Sequence, residues 1–115
     1  MLDIQQQLLN LYEHLVPEER CGLISDDGQV IEIDNDHEQP SLGYVMNARQ
    51  VLDVMSTYDI VGTWHTHPDA DPNLSQEDYS GFTLWPSLTH YIVGMRDGEK
   101  MVAQFMFENE KLVTL

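Results

Sequence analysis

The stretch IVGTWHTHPDADPNLSQED, Ile60 to Asp78, changes character twice along its length. Ile60 to His65 is rich in β-branched and aromatic residues, which suit a central strand. Thr66 to Leu74 carries two prolines and reads as a loop, and Ser75 can open a short helix reaching about Leu84. Strand, loop and helix are the frame to which the rest of the chain is fitted. Upstream, Asn47 can cap a helix ARQVLDVMSTY whose Ala48, Val51, Val54, Met55 and Tyr58 form an apolar stripe at helical spacing. Downstream, Thr89 to Met95 reads as a strand and RDGE (Arg96 to Glu99) as a turn. The alternating MVAQFMF and the terminal LVTL then complete a sheet.

Nearer the N-terminus, CGLIS (Cys21 to Ser25), DDG and QVIEI (Gln29 to Ile33) predict strand, tight turn and strand, with Asp-Gly supplying the positive φ of a hairpin. Asp34 to Ser41 is a polar loop leading to a short strand at Leu42 to Met46. Ile4, Leu8, Leu11 and Leu15 fall on one helical face, in a first helix that Pro17 ends. Strands interleaved with helices make the fold class α/β, or α+β mixed: a mixed sheet with helices on its faces. No repeat, linker or low-complexity segment divides residues 1–115, and a chain this short builds a single domain.

A formal net charge of -15, with only 5 Lys and Arg, argues against a nucleic-acid partner, because phosphate affinity comes from clustered cations. The hydrophobic content of 42% is enough for a packed core. With Cys21 the only cysteine, no intramolecular disulfide forms, and a reducing compartment is expected. MLDIQQQLLNLYEHL lacks a basic leader and a small-residue cleavage site, and no apolar run approaches the roughly 20 residues of a membrane span. A soluble, cytoplasmic protein is expected.

Side chains two apart on extended backbone point the same way, so His65 and His67 can present both imidazoles to one point. Catalytic zinc takes three protein ligands and keeps a fourth position for water, so a carboxylate should follow. Asp69, Asp71, Glu77 and Asp78 all qualify. Asp78 is preferred because the first turn of a helix is a more rigid mount than a proline-containing loop. Ser75 and Asp78 also have the spacing of a capping box, a role that can coexist with chemistry.

His65-Thr66-His67, seven intervening residues, then Ser75-Gln-Glu-Asp78 resembles the JAMM signature H-(S/T)-H-x7-S-x2-D of MPN-domain (Mov34/PAD-1-like) zinc metallopeptidases. PEERCGLI at Pro17 to Ile24 is similar to the upstream P-x-E-x-C-G form of that family, and the order of elements agrees over nearly the whole chain. The resemblance implies a cytidine-deaminase-like mixed sheet flanked by helices. It also implies zinc held by His65, His67 and Asp78, with Glu19 as general base and Ser75 stabilising the developing oxyanion. Glu18 is the alternative base. Zinc brings its water's pKa toward neutrality, a carboxylate takes the proton, and a positioned donor meets the new charge. The combination looks closest to the JAMM domain of phage tail assembly proteins and small bacterial relatives, which implies a protein or peptide substrate, a phage tail protein or a ubiquitin-like or sulfur-carrier protein among them.

Cys21, at a strand start with no positioned base, reads as a buried small hydrophobe rather than a nucleophile. His14 and His37 read as solvated and His90 as structural. Trp64 and Trp85 suit the core or a substrate groove. Two other functions compete. A non-catalytic MPN scaffold would lose ligands that this chain retains, and a zinc deaminase-like hydrolase wants paired cysteines where this chain has one.

Overall fold

The computed structural model describes residues 3–115; Met1 and Leu2, and the N-terminal reading that includes them, lie outside the described residues. The elements are α1 (Ile4–Leu11), β1 (Cys21–Ser25), β2 (Val30–Ile33), α2 (Ala48–Thr57), β3 (Ile60–Thr66), α3 (Gln76–Phe82), β4 (Thr89–Arg96), β5 (Glu99–Glu108) and β6 (Lys111–Thr114). One six-stranded sheet runs β2-β1-β3-β4-β5-β6. Among the described residues, only the β3–β4 pair is parallel, with α3 in its crossover, and the other four pairs are antiparallel. The mixed sheet read from the sequence is therefore present, with β3 in its interior.

The alternation of β3 separates two layers. Trp64 joins Leu8 and Tyr12 of the α1 segment, Ile24 and Val93 in a buried cluster on one face. Thr63 and His65 belong to the opposite face, where Phe82 of α3 packs with Ile92 and Phe105. The hairpin between β1 and β2 follows the expected turn, Gly28 taking φ 87°. Asn47 caps α2 by accepting from the Gln50 N–H at 2.9 Å.

Two expectations fail, each because a side chain outcompetes a local pattern. The first helix stops at Leu11, and Leu15 is 83% exposed rather than on its apolar face. Tyr12 turns to extended backbone, donates its hydroxyl to the His67 carbonyl at 2.7 Å and accepts from the Asp69 N–H at 3.1 Å. Arg20 meanwhile caps the Leu11 carbonyl at 2.7 Å. The strand expected at Leu42 to Met46 is reduced to a single antiparallel bridge between Asn35 and Met46. Asn35 replaces the missing ladder: its side chain donates to Gly43 O at 3.0 Å and accepts from Val45 N at 3.0 Å.

Candidate metal centre

His65 is the penultimate residue of β3, and His67 lies just past its end, its N–H still bonded to Val93 O at 2.8 Å. The two Nε2 atoms accordingly lie 3.2 Å apart. Asp78 reaches both rings from the first turn of α3, Oδ1 at 3.1 Å from His65 Nε2 and Oδ2 at 3.1 Å from His67 Nε2. Ser75 fixes that turn by a reciprocal capping box. Its Oγ accepts from Asp78 N at 2.9 Å, and its N–H donates to Asp78 Oδ2 at 3.3 Å. Glu19 enters from the segment before β1, its backbone held by Pro40 O at 2.8 Å and by Asn35 Nδ2 at 2.9 Å. Ligand atoms of Glu19, His65 and His67 lie within 4.8 Å of one another.

Of the five residues singled out in the sequence, Asp78 and Glu19 each approach the two imidazoles, and Ser75 is held against Asp78. Of the other candidate carboxylates, Asp71 is paired elsewhere and Asp69, Glu18 and Glu77 are exposed, with Glu77 near enough to Glu19 for its charge to act there. Asp71 is bidentate to Arg96, at 2.7 Å through each oxygen. Asp69, at φ 45°, contributes its N–H to Tyr12. His90 is buried and structural, pairing with Thr63 Oγ1 at 2.7 Å and Trp85 O at 3.0 Å. His37 is half-buried rather than solvated, its Nδ1 accepting from Gln39 N at 2.8 Å. Cys21 is buried and its thiol is pushed up to about 12, chiefly by burial, which leaves it protonated and inert.

The donor chemistry fits a divalent cation. His67 Nδ1 meets the carbonyl of Asp71 at 2.9 Å, and since a carbonyl only accepts, the Nδ1 proton is fixed and a neutral ring turns its Nε2 lone pair toward Asp78 and His65. Two imidazole nitrogens and a carboxylate are compatible with a zinc centre. Burial opposes charge on His67, but Asp78, the Asp71 carbonyl and Glu19 together raise its pKa. A proton and a bound metal would therefore compete for its Nε2. Burial dominates at His65 and lowers its pKa despite Asp78. Burial works in the other direction on Asp78, yet its bonds to both imidazoles hold it well below the ordinary carboxylate range. Glu19 rises to about 7, first through burial and then through the nearby charges of Asp78 and Glu77, with His67 pulling the other way.

The centre opens into a cleft of ≈ 1130 Å³. Val51, Leu52 and Met55 of α2 line it together with Leu84 and Trp85, and so do Glu19, Ser75 and Asp78. Leu52 and Leu84 are 64% and 76% exposed. Sequence reading missed Tyr44, whose ring stacks on His65 with centroids 4.4 Å apart. It also missed the Asp71 carbonyl and the Asn35 amide. Backbone atoms and ring faces leave no signature of spacing, so only the polar residue types at Asn35 and Asp71 gave any sign.

A family model described as prokaryotic homologs of the JAB domain matches residues 2–107. A solution structure from Desulfitobacterium hafniense is 21% identical, with a TM-score of 0.69 over 96% of this chain and 84% of that one. Another, from Salinibacter ruber, is 18% identical, with a TM-score of 0.59 over 99% of this chain and 88% of its own. These two likenesses concern the fold alone. Among curated proteins, no match to this chain is found. No helix among the described residues is long and apolar enough to cross a membrane.

Proposed function

Since the chain belongs to the prokaryotic homologs of the JAB domain, we propose that it is a zinc metallopeptidase hydrolysing a peptide or isopeptide bond in a protein substrate. The observation that carries this reading is the convergence of both imidazoles on the Asp78 carboxylate, with Glu19 beside them. His65, His67 and Asp78 would hold the ion. Bound zinc supplies Lewis acidity and brings water's pKa toward neutrality. Glu19 takes the proton at its carboxylate and returns it to the leaving amine, a task suited by a pKa of about 7. Ser75 Oγ accepts from Asp78 N through one lone pair, and its hydroxyl proton would meet charge developing on the substrate carbonyl. The apolar walls of the cleft would hold an extended segment of the substrate and exclude water from the bond being cut.

A scaffold of this fold has no need for Glu19 to retain its carboxylate, and this separates the two readings. Zinc-loaded protein incubated with a proteome-derived peptide library, with new termini read by mass spectrometry, should show cleavage. Glu19→Gln should keep its zinc and lose at least about 100-fold in rate. Cleavage undiminished in Glu19→Gln would remove Glu19 from the chemistry, and no cleavage by the unmodified protein would favour the scaffold.

A further inference from the structure

We propose that Tyr44 is a positioning residue for His65, holding that imidazole by its face in place of the hydrogen bond that orients His67. The inference rests on the reading of His65 as a metal ligand. His65 is wholly buried, and its Nδ1 has no hydrogen-bond partner among the described residues. Its neighbours across the sheet are Cys21 and Ile92, and the Cys21 thiol is directed to Ile33 O at 3.5 Å. A histidine's χ2 well is broad, so an imidazole lacking a bond at Nδ1 can swing about Cβ–Cγ unless its flat face is confined. Tyr44 confines it, stacked at 4.4 Å with an interplanar angle of 28°, while Phe82 meets the ring tilted at 6.1 Å.

The placement of Tyr44 is itself built. Asn35 bonds the backbone on either side of it, at Gly43 O and Val45 N, and the same side chain holds Glu19 O at 2.9 Å. One amide thus ties the ring that steadies a ligand to the residue read as the base. The segment bearing Tyr44 also lines the cleft.

The test compares Tyr44→Phe and Tyr44→Leu with the unmodified protein in zinc affinity, by competition with a chelator, and in the visible absorption of the cobalt-substituted centre. Phenylalanine keeps the stacked face and should preserve both. Leucine should weaken zinc binding by about tenfold or more, the scale of losing a group that orients a ligand, and alter the cobalt spectrum. Zinc bound equally tightly by Tyr44→Leu, with an unchanged spectrum, overturns the role of Tyr44 and leaves the metal reading intact. Failure of the unmodified protein to bind zinc overturns both. A measurement independent of the folding of any variant is the proton NMR of the unmodified protein. The His65 ring protons should be shifted upfield of those of His67 by the Tyr44 ring, and their absence from that position would contradict the stacking.

Discussion

Glu19 shows how much a single carboxyl's surroundings decide. Burial, with Asp78 and Glu77 nearby, lifts it from an ordinary 4.5 to about 7. Its protonated form is the one the fold prefers, so its contribution to stability is full below pH 4.5 and is lost as pH rises through about 7. Glu19→Gln cannot lose that contribution. In urea titrations of metal-stripped protein, the stability of Glu19→Gln relative to the unmodified chain should rise between pH 5 and pH 8 by about 1 kcal/mol, after allowance for the carboxyl's partial exposure. A difference independent of pH would mean that Glu19 is ordinarily solvated. The residue types at this centre were legible in the sequence because imidazole, carboxylate and hydroxyl are what metal hydrolysis requires, and because His65, His67, Ser75 and Asp78 sit close along the chain. Tyr44 was not legible, since a stacked ring serves through its shape and lies more than one element away from the motif.

At the scale of elements, the loop between β3 and α3 is held down onto β4 by His67 N to Val93 O and Met95 N to Ala70 O, both at 2.8 Å. Gly94 makes this possible: a Cβ there would stand 2.3 Å from Ala70 O and 2.8 Å from Pro72 N, both backbone atoms. Gly94→Ala should lift the loop and with it the Asp71 carbonyl that orients His67, lowering stability by about 1–3 kcal/mol and weakening zinc binding. Thermal melts and chelator competition would check this, and a variant unchanged in both would show that the loop does not depend on that close approach. Periodicity located β1 through β6, α2 and α3 because each buries a face or carries its own cap. It failed where tertiary bonds took over. Leu15 has the helical spacing of Leu8 and Leu11, but the helix ends at Leu11 and Tyr12, in extended backbone, bonds His67 and Asp69 through its hydroxyl. Leu42 to Met46 has strand-like composition, yet beside one backbone bridge to Met46 it is the Asn35 side chain that bonds Gly43 O and Val45 N.

For the whole molecule, the order of elements brings residues from three separate places to one opening: Glu19 before β1, the histidine pair at the end of β3, and Asp78 at the start of α3. The chain's net charge of -15 opposes a polyanionic substrate and would steer a cationic one more strongly at low ionic strength. A metal held by His65, His67 and Asp78 would unite these features, and the proposed ligands are the central matter to test. The direct measurement is elemental analysis of protein loaded with zinc and freed of excess. About one zinc per chain is predicted for the unmodified protein and for Glu19→Gln, with little or none in folded His65→Ala and Asp78→Ala. Equal zinc in all four proteins, or none in the unmodified one, would contradict the assignment of His65 and Asp78 as ligands.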